Sequence, residues 1–208
     1  MNARTERLEL AGPAGKLQVQ RDTPLEGASR GIAVISHPHP LFGGTMENKV
    51  VQTIARACVQ TGWTALRFNF RGVGASEGTH DEGRGELQDL LAVIDGLAPA
   101  GPLLLAGFSF GGFITASAVA HLWGQREIER IVLVGTAASR FEVPPLPAEA
   151  HLRSLVIHGE QDETVPLAAA LDWARPQSLP VTVVPGGGHF FHGQLPLLKS
   201  LVVRHLRS

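Results

Sequence analysis

Short apolar runs that alternate with helix-like patterns limit the folds open to this chain more than any other feature. The apolar runs are typical of buried strands and cover residues 31–37, 63–70, 102–108, 130–135, 153–159 and 180–185. Between them, apolar residues recur three or four positions apart around residues 47–61, 87–97, 113–123, 166–174 and 194–206. Parallel strands need crossover connections, which helices commonly supply. The alternation predicts an α/β fold with a mostly parallel sheet and helices on both faces.

The N-terminal segment differs, because its residues alternate between apolar and polar. "RLEL" and "KLQVQ" bracket "AGPAG", which predicts an opening hairpin. No internal repeat or low-complexity linker interrupts the chain, and 208 residues suit one domain. We therefore expect residues 1–208 to form a single α/β domain.

Charge and cysteine content argue against several classes of function. The formal net charge of −1 offers no electrostatic basis for binding nucleic acid or anionic membranes. The single Cys58 cannot form an intramolecular disulfide, which suits a reducing compartment. No signal-peptide core precedes the hairpin, and no run approaches the roughly 18 apolar residues of a membrane span. These features predict a cytoplasmic protein with neither nucleic-acid nor membrane partners.

Two serines lie in the pattern Gly-x-Ser-x-Gly, which is typical of a nucleophile held on a tight turn. Ser109 lies in "GFSFG", between the apolar run "PLLLA" and a helical pattern, which is the context that such a turn requires. Ser76 lies in "GASEG", inside a polar, glycine-rich loop where no helix begins. Thr79 or Asp81 is a possible cap of the next helix. The context predicts that Ser109 is the nucleophile and that Ser76 is a loop residue.

An acid and a histidine follow Ser109 in an order that serine triads use. Asp162 comes after the strand at 153–159, and His189 lies in the glycine-rich loop after the strand at 180–185. Because the carboxyl ends of parallel strands meet at one edge of a sheet, we predict a Ser109–His189–Asp162 triad. The competing groups, which we interpret as loop or helix-entry residues, are Glu160, Glu163 and His192.

Five segments together carry a resemblance to a known family. They are "HPHPLFGGTMENKV", "RFNFRGVGASEG", "GFSFGG", "HGEQDETVP" and "GGGHFF". From residue 5 to its end, the chain resembles α/β-hydrolases, in particular a small lidless bacterial subgroup related to dienelactone-hydrolase-like and carboxylesterase families. The resemblance implies an α/β-hydrolase fold whose eight-stranded sheet has an antiparallel second strand. Dienelactone hydrolases carry a cysteine nucleophile, where this chain has Ser109.

The segment "SHPHPLFGG" corresponds to the loop that supplies an oxyanion donor in this family. Pro38 and Pro40 have no N–H group to donate. The backbone N–H of His39 is therefore the first candidate, and that of Leu41 the second. The other expected donor is the N–H of Phe110, directly after the nucleophile.

The connection between the sixth and seventh strands, residues 136–152, is too short for a multi-helix lid. We therefore expect no cap domain and an open site. The apolar residues expected to line it are Leu41, Phe42, Phe110 and Phe190. Such a rim suits small or medium acyl groups.

Several histidines remain outside the predicted triad. His37 and His39 have the H-x-H spacing of a metal chelate, but no companion ligands are evident and serine hydrolysis needs no metal. We therefore expect neither a metal nor a cofactor. Four others are interpreted as surface, loop or packing residues: His80, His121, His151 and His205.

The residues favour hydrolysis of a carboxylic ester or thioester through an acyl-enzyme, with a small-molecule substrate as partner. Hydrolysis of short peptides uses the same triad and is an alternative. A non-catalytic binding protein of the same fold is a third possibility, although such proteins usually lose a triad residue. The sequence indicates neither the physiological substrate nor the oligomeric state.

Overall fold

In the computed structural model of the protein, which describes residues 3–27 and 29–208, one eight-stranded sheet runs through the fold. Its strands are β1 (Ala3–Gly12), β2 (Gly15–Pro24), β3 (Ile32–Ser36), β4 (Thr64–Phe68), β5 (Leu103–Phe108), β6 (Ile128–Val134), β7 (Ser154–Gly159) and β8 (Val181–Val184). Their spatial order is β1-β2-β4-β3-β5-β6-β7-β8. Strand β2 pairs antiparallel with both neighbours, and the other pairs are parallel. The predicted α/β-hydrolase sheet is confirmed, including its antiparallel second strand.

Helices cover both faces of the sheet, as predicted. They are α1 (Lys49–Gln60), α2 (Arg84–Leu97), α3 (Phe110–Leu122), α4 (Leu167–Ala174) and α5 (Leu195–Arg207). Alternation along β3 separates two apolar clusters, because Val34 contacts the cluster under α2 and α3, whereas Ala33 and Ile35 contact the cluster under α1 and α5. Within the described residues, none of these helices has both the length and the apolar content needed to cross a bilayer.

The connection between β6 and β7 carries no helical cap. It spans residues 135–153 and contains turns and one short 3-10 helix, Ala148–Arg153. The lidless architecture that we expected is therefore present, and the carboxyl edge of the sheet is open above this connection.

Helix α2 begins differently from our prediction. Neither Thr79 nor Asp81 caps it; the N-cap is Gly83, in a left-handed conformation with φ of 99°. The carboxylate of Glu86 accepts hydrogen bonds from the backbone N–H groups of Gly83 (2.8 Å) and Asp81 (2.9 Å). Glu86 at the third helical position therefore satisfies the N–H of the N-cap residue, as the acid of a capping box does, while the glycine N-cap has no side chain to accept from the first turn.

Ser76 lies in the loop after β4 and is bonded to backbone groups. Its hydroxyl donates to the carbonyl of Asn69 (2.7 Å) and accepts from the N–H of Gln18 in β2 (2.9 Å). The side chain is buried. Ser76 therefore ties the loop to the antiparallel strand, which is a structural role for the second Gly-x-Ser-x-Gly motif.

We expect Ser76→Ala to lower the free energy of unfolding by about 1–3 kcal/mol, because it leaves buried backbone groups without a partner. Urea denaturation measures the change. Ser117→Ala is the matched control, since the hydroxyl of this partly exposed residue only donates to Phe113 within α3. Its effect is expected to stay within about 0.5 kcal/mol. Equal losses of unfolding free energy in both variants would show that the two hydrogen bonds of Ser76 stabilise the fold no more than the single bond of Ser117 does.

Candidate active site

Ser109 occupies a sharp turn between the end of β5 and the first residue of α3. Its φ of 57° and ψ of −117° are unusual for a residue with a side chain, so the turn is strained. The flanking glycines allow this geometry. A Cβ at Gly111 would collide with the carbonyl of Ser36 at the end of β3, and one at Gly107 would collide with the carbonyl of Gly111. The glycines of the motif therefore let α3 start directly against the sheet.

The structure brings together the three residues predicted for the triad. Nε2 of His189 lies 2.9 Å from Oγ of Ser109, and Nδ1 of His189 lies 2.7 Å from Oδ2 of Asp162. All three residues are buried. Because a carboxylate can only accept, Nδ1 carries the proton and Nε2 is left to accept the serine proton. The arrangement suits a serine activated by a general base.

Asp162 is held by more than the histidine. Its Oδ1 accepts from the backbone N–H groups of Thr164 (2.9 Å) and Val165 (2.7 Å). Burial by itself raises the pKa of Asp162, but the hydrogen bonds from His189 and Val165 outweigh it, so that the pKa lies below its ordinary value. The carboxyl therefore stays ionised and fixed in orientation beside the imidazole.

The sequence analysis missed His158, which lies beneath Asp162. The side chain is fully buried at the end of β7. Its Nε2 is 2.8 Å from the carbonyl of Val165 and 3.5 Å from Oδ2 of Asp162. A histidine in an otherwise apolar strand, four residues before the acid, was the available signal.

The competing candidates lie away from the serine. Glu160 accepts from the backbone N–H of Gly186 (2.8 Å), and Glu163 is exposed. His192 is exposed and contacts Phe190, with ring centroids 5.9 Å apart. None of these three side chains joins the hydrogen bonds between Ser109, His189 and Asp162.

The loop after β3 forms a short 3-10 helix, Pro40–Phe42. The N–H of Leu41 donates to Nδ1 of His39 (3.2 Å) and is therefore engaged. No acceptor within residues 3–27 and 29–208 receives the backbone N–H of His39 or of Phe110. The N–H of Phe110 also points from the first turn of α3, where the helix dipole favours negative charge. These two N–H groups are free to bind a developing oxyanion.

His37 anchors this loop from below. Its Nδ1 donates to the carbonyl of Pro38 (2.6 Å), and its Nε2 accepts from the backbone N–H of Phe70 (3.0 Å). Burial is the main reason why the pKa of His37 falls from 6.5 to about 4; the Pro38 carbonyl opposes the shift and nearby His39 adds to it. With both ring nitrogens occupied, His37 would have to break these bonds to bind a metal together with His39.

His80 packs beside the site, contrary to our expectation of a solvated loop residue. Its ring centroid is 4.8 Å from that of His39 and 5.7 Å from that of Phe110. Its Nδ1 lies 2.9 Å from Oε1 of the buried Glu86. The side chain of His80 therefore packs against His39 and Phe110, the two residues with free N–H groups, although its own loop is rich in glycine and polar residues.

A cleft of about 330 Å³ opens above Ser109. Its lining residues are Pro38, His39, Phe42, Gly43, Gly44, Asn48, Ser109, Phe110, Ala137, Arg140, Phe141, Thr164, Val165, His189 and Phe190. Phe42, Phe110 and Phe190 line it as expected, but Leu41 does not. Side chains in a 3-10 helix are about 120° apart, so the side chains of Leu41 and Phe42 point in different directions and only Phe42 faces the cleft. The analysis also missed Arg140 and Phe141.

Comparison with known proteins agrees with this fold and geometry. A crystal structure from Xanthomonas campestris, described as an α/β serine hydrolase without a lid, is 37% identical, with a TM-score of 0.87 over 98% of this chain and 94% of that one. An α/β serine hydrolase homologue from Coxiella burnetii is 38% identical, with a TM-score of 0.82 over 97% of both chains. The protein is therefore a hydrolase of the lidless α/β serine hydrolase class.

The particular family follows from a family model. Residues 28–152 match the family described as "Serine aminopeptidase, S33", and the chain belongs to that family. An uncharacterized protein of Rickettsia prowazekii is 30% identical over 86% of this chain and 79% of its own length. The human mitochondrial palmitoyl-protein thioesterase ABHD10 is 32% identical over 55% of this chain, a match that spans only 35% of the thioesterase.

The lowered pKa of His37 predicts a stability that depends on pH. Between about pH 6.5 and pH 4 the unfolded chain binds a proton that the buried imidazole does not, so the free energy of unfolding should fall as the pH decreases, by up to about 3 kcal/mol. His37→Asn is expected to flatten this decrease, measured by chemical denaturation near pH 7 and near pH 4.

His121→Asn, at an exposed position in α3, is the control and should keep the wild-type slope of unfolding free energy against pH.

A second measurement uses the wild-type protein and does not depend on the folding of a variant. The ring protons of His37, followed by NMR in the wild-type protein, should not titrate until the pH approaches 4. A midpoint at the ordinary histidine value of about 6.5 would contradict the assignment.

Proposed function

We propose that the protein hydrolyses carboxylic esters or thioesters by transferring the acyl group first to Ser109 and then to water. The observation that carries the proposal is the unbroken series of hydrogen bonds from Ser109 through His189 to Asp162, at 2.9 and 2.7 Å. Membership of the α/β serine hydrolases supports the reaction class.

In the proposed reaction, His189 takes the proton of Ser109 as Oγ attacks the substrate carbonyl carbon. The protonated imidazole then gives this proton to the departing alkoxide or thiolate, and the acyl-enzyme remains. Water attacks the acyl-enzyme with His189 again as the base, which regenerates the serine and releases the acid. Asp162 holds the imidazole in the tautomer that this cycle requires and stabilises its charged form.

We assign the oxyanion hole to the backbone N–H groups of His39 and Phe110. Each is free of an acceptor among the described residues, whereas the N–H of Leu41 donates to a side chain. In characterised hydrolases the loss of one such donor costs about 3–4 kcal/mol of transition-state stabilisation. The strained turn at Ser109 aims the N–H of Phe110 at the same space as the serine hydroxyl, which supports this assignment.

The cleft supports a small or medium acyl group. Its volume of about 330 Å³ is at the lower end of ordinary ligand pockets, which start near roughly 300 Å³. Phe42, Phe110 and Phe190 provide apolar walls, and Phe42 and Phe190 are partly open to solvent. The thioesterase named among the relatives supports thioesters as one of the two proposed substrate classes.

Short-peptide hydrolysis is the second candidate, because the family description names an aminopeptidase. An aminopeptidase must hold a substrate α-ammonium group, for which a carboxylate in the cleft is the natural partner. The cleft-lining residues, all in the described part of the chain, include no aspartate or glutamate. They include Arg140, whose charge would repel an ammonium group. We therefore favour esters and thioesters over peptides. We also favour catalysis over simple binding, because Ser109, His189 and Asp162 are all present.

Two broader expectations are also proposals. Residues 1–208 are proposed to act as a single catalytic domain, which the continuous eight-stranded sheet across the described residues supports. A cytoplasmic location is proposed on chemical grounds. The single Cys58 cannot form an intramolecular disulfide, which suits a reducing compartment.

The proposed function predicts how serine variants react with a fluorophosphonate probe. Wild type and Ser76→Ala should be labelled, and Ser109→Ala should not, because only Ser109 has a base at hydrogen-bond distance. In-gel fluorescence and mass spectrometry of the labelled peptide measure the outcome. Labelling that persists in Ser109→Ala and disappears in Ser76→Ala would overturn the assignment.

Asp162→Asn tests the acid of the same triad. We expect kcat for a 4-nitrophenyl ester to fall by about 10⁴-fold, because an amide favours the wrong imidazole tautomer. The matched control is Glu163→Gln, which removes a neighbouring exposed carboxylate and should leave kcat within about twofold. A comparable loss in both variants would point to disruption of the loop instead of loss of the acid.

A further inference from the structure

The lining of the cleft above Ser109 includes one permanently charged side chain, that of the exposed Arg140. Among its lining residues, which all belong to the described part of the chain, the other ionisable groups are His39 and His189. The remaining lining residues are aromatic, aliphatic, small or uncharged polar. An arginine in such a cleft gives it a positive charge that the proposed hydrolysis of a neutral ester does not require.

The backbone next to the nucleophile fixes where Arg140 lies. Ala137 donates its N–H to the carbonyl of Ser109 (3.2 Å), and the N–H groups of Arg140 and Phe141 both donate to the carbonyl of Ala137 (3.1 Å each). The ring of Phe141 stacks on Phe113 of α3, with centroids 4.8 Å apart and an interplanar angle of 7°. Arg140 therefore lies on a short turn that is held at one end to the backbone of Ser109 and at the other end to α3.

The guanidinium of Arg140 is not used to hold the fold. Across residues 3–27 and 29–208 it forms no ion pair and donates no side-chain hydrogen bond. Arg67 and Arg71 show the contrast, because both are buried and paired with carboxylates, Asp22 at 2.9 Å and Asp89 at 2.8 Å. Arg140 therefore retains its hydrogen-bond donors for a partner from solvent.

Two acids near the site, Asp162 and Glu86, have other partners and form no ion pair with Arg140. Asp162 is buried and already accepts from His189, Thr164 and Val165. Glu86 is buried and accepts from two backbone N–H groups, and its Oε1 lies beside His80. Burial is the main reason why the pKa of His39 is lowered; nearby His80 adds to the shift, Glu86 opposes it, and Arg140 makes the smallest of these contributions.

We propose that Arg140 binds an anionic group of the substrate, a carboxylate or a phosphate, while the carbonyl next to it reacts with Ser109. The natural substrates are then acidic esters or thioesters. The planar guanidinium suits both anions, because its parallel N–H groups can bind two oxygens at once. This inference rests on the proposed hydrolysis and names its substrate class.

Two matched pairs of thioesters test the inference. S-adipoyl- and S-hexanoyl-N-acetylcysteamine differ by a carboxylate on the acyl chain. S-hexanoyl-4′-phosphopantetheine and S-hexanoylpantetheine differ by a phosphate on the leaving group. The variants are Arg140→Gln, which removes the charge but keeps a polar chain, and Arg204→Gln, which removes an exposed charge from α5 outside the cleft.

We expect wild type to have a kcat/KM about fivefold higher for the acidic member of at least one pair, as for a partly exposed ion pair. Arg140→Gln should abolish this preference, because it lowers kcat/KM more for the acidic member of a pair than for the neutral one, whereas Arg204→Gln should keep it. The pair that responds identifies whether the anion lies on the acyl chain or the leaving group. Added salt should weaken the preference, because exposed charges are screened.

Three results would overturn the inference: no preference for either acidic member in wild type, a preference that survives Arg140→Gln, or an equal loss for acidic and neutral members. If no ester or thioester is hydrolysed by any folded variant, the proposed function fails instead. Ligand-observed NMR with Ser109→Ala then still decides the question about Arg140. Tighter binding of an acidic thioester that Arg140→Gln removes supports the inference, and equal binding rejects it.

Discussion

The site depends on the close approach of α3 to the end of β3, which only glycine permits at position 111. Because the helix can begin there, Ser109 adopts a positive φ and its side chain projects toward the carboxyl edge of the sheet. The same approach places the first N–H of the helix next to the loop after β3. A side chain at Gly111 would push the nucleophile and both proposed oxyanion donors apart together.

Buried polar contacts hold the loops around the turn at Ser109 in place. His37 accepts a hydrogen bond from the backbone N–H of Phe70, which joins the loop after β3 to the loop after β4, and it donates to the carbonyl of Pro38 within its own loop. His80 and the buried Glu86 connect the loop after β4 to the start of α2 beside Phe110. These interior contacts hold the loops around Ser109 in register with one another.

The sequence was sufficient to predict the sheet, the sharp turn at Ser109 and the proximity of Ser109, Asp162 and His189. Each of these follows from the order of the strands and from the rule that parallel strands end at one edge of a sheet. Contacts between loops were not predictable in this way. His80 looked solvated because its neighbours in sequence are polar, although the residues packed against it come from three other segments. Leu41 was assigned to the cleft on hydrophobicity, but the direction of its side chain depends on the 3-10 turn. Arg140 was overlooked because residues 136–152 were judged only by length.

The short connection between β6 and β7 has a consequence for the fate of an acyl-enzyme. Without a cap, bulk water reaches the carbonyl bound to Ser109 as soon as the leaving group departs, and few contacts exist to hold a second acceptor in its place. Partitioning between water and other nucleophiles should therefore favour hydrolysis over acyl transfer. In the proposed reaction, product can also diffuse away without the movement of a cap domain.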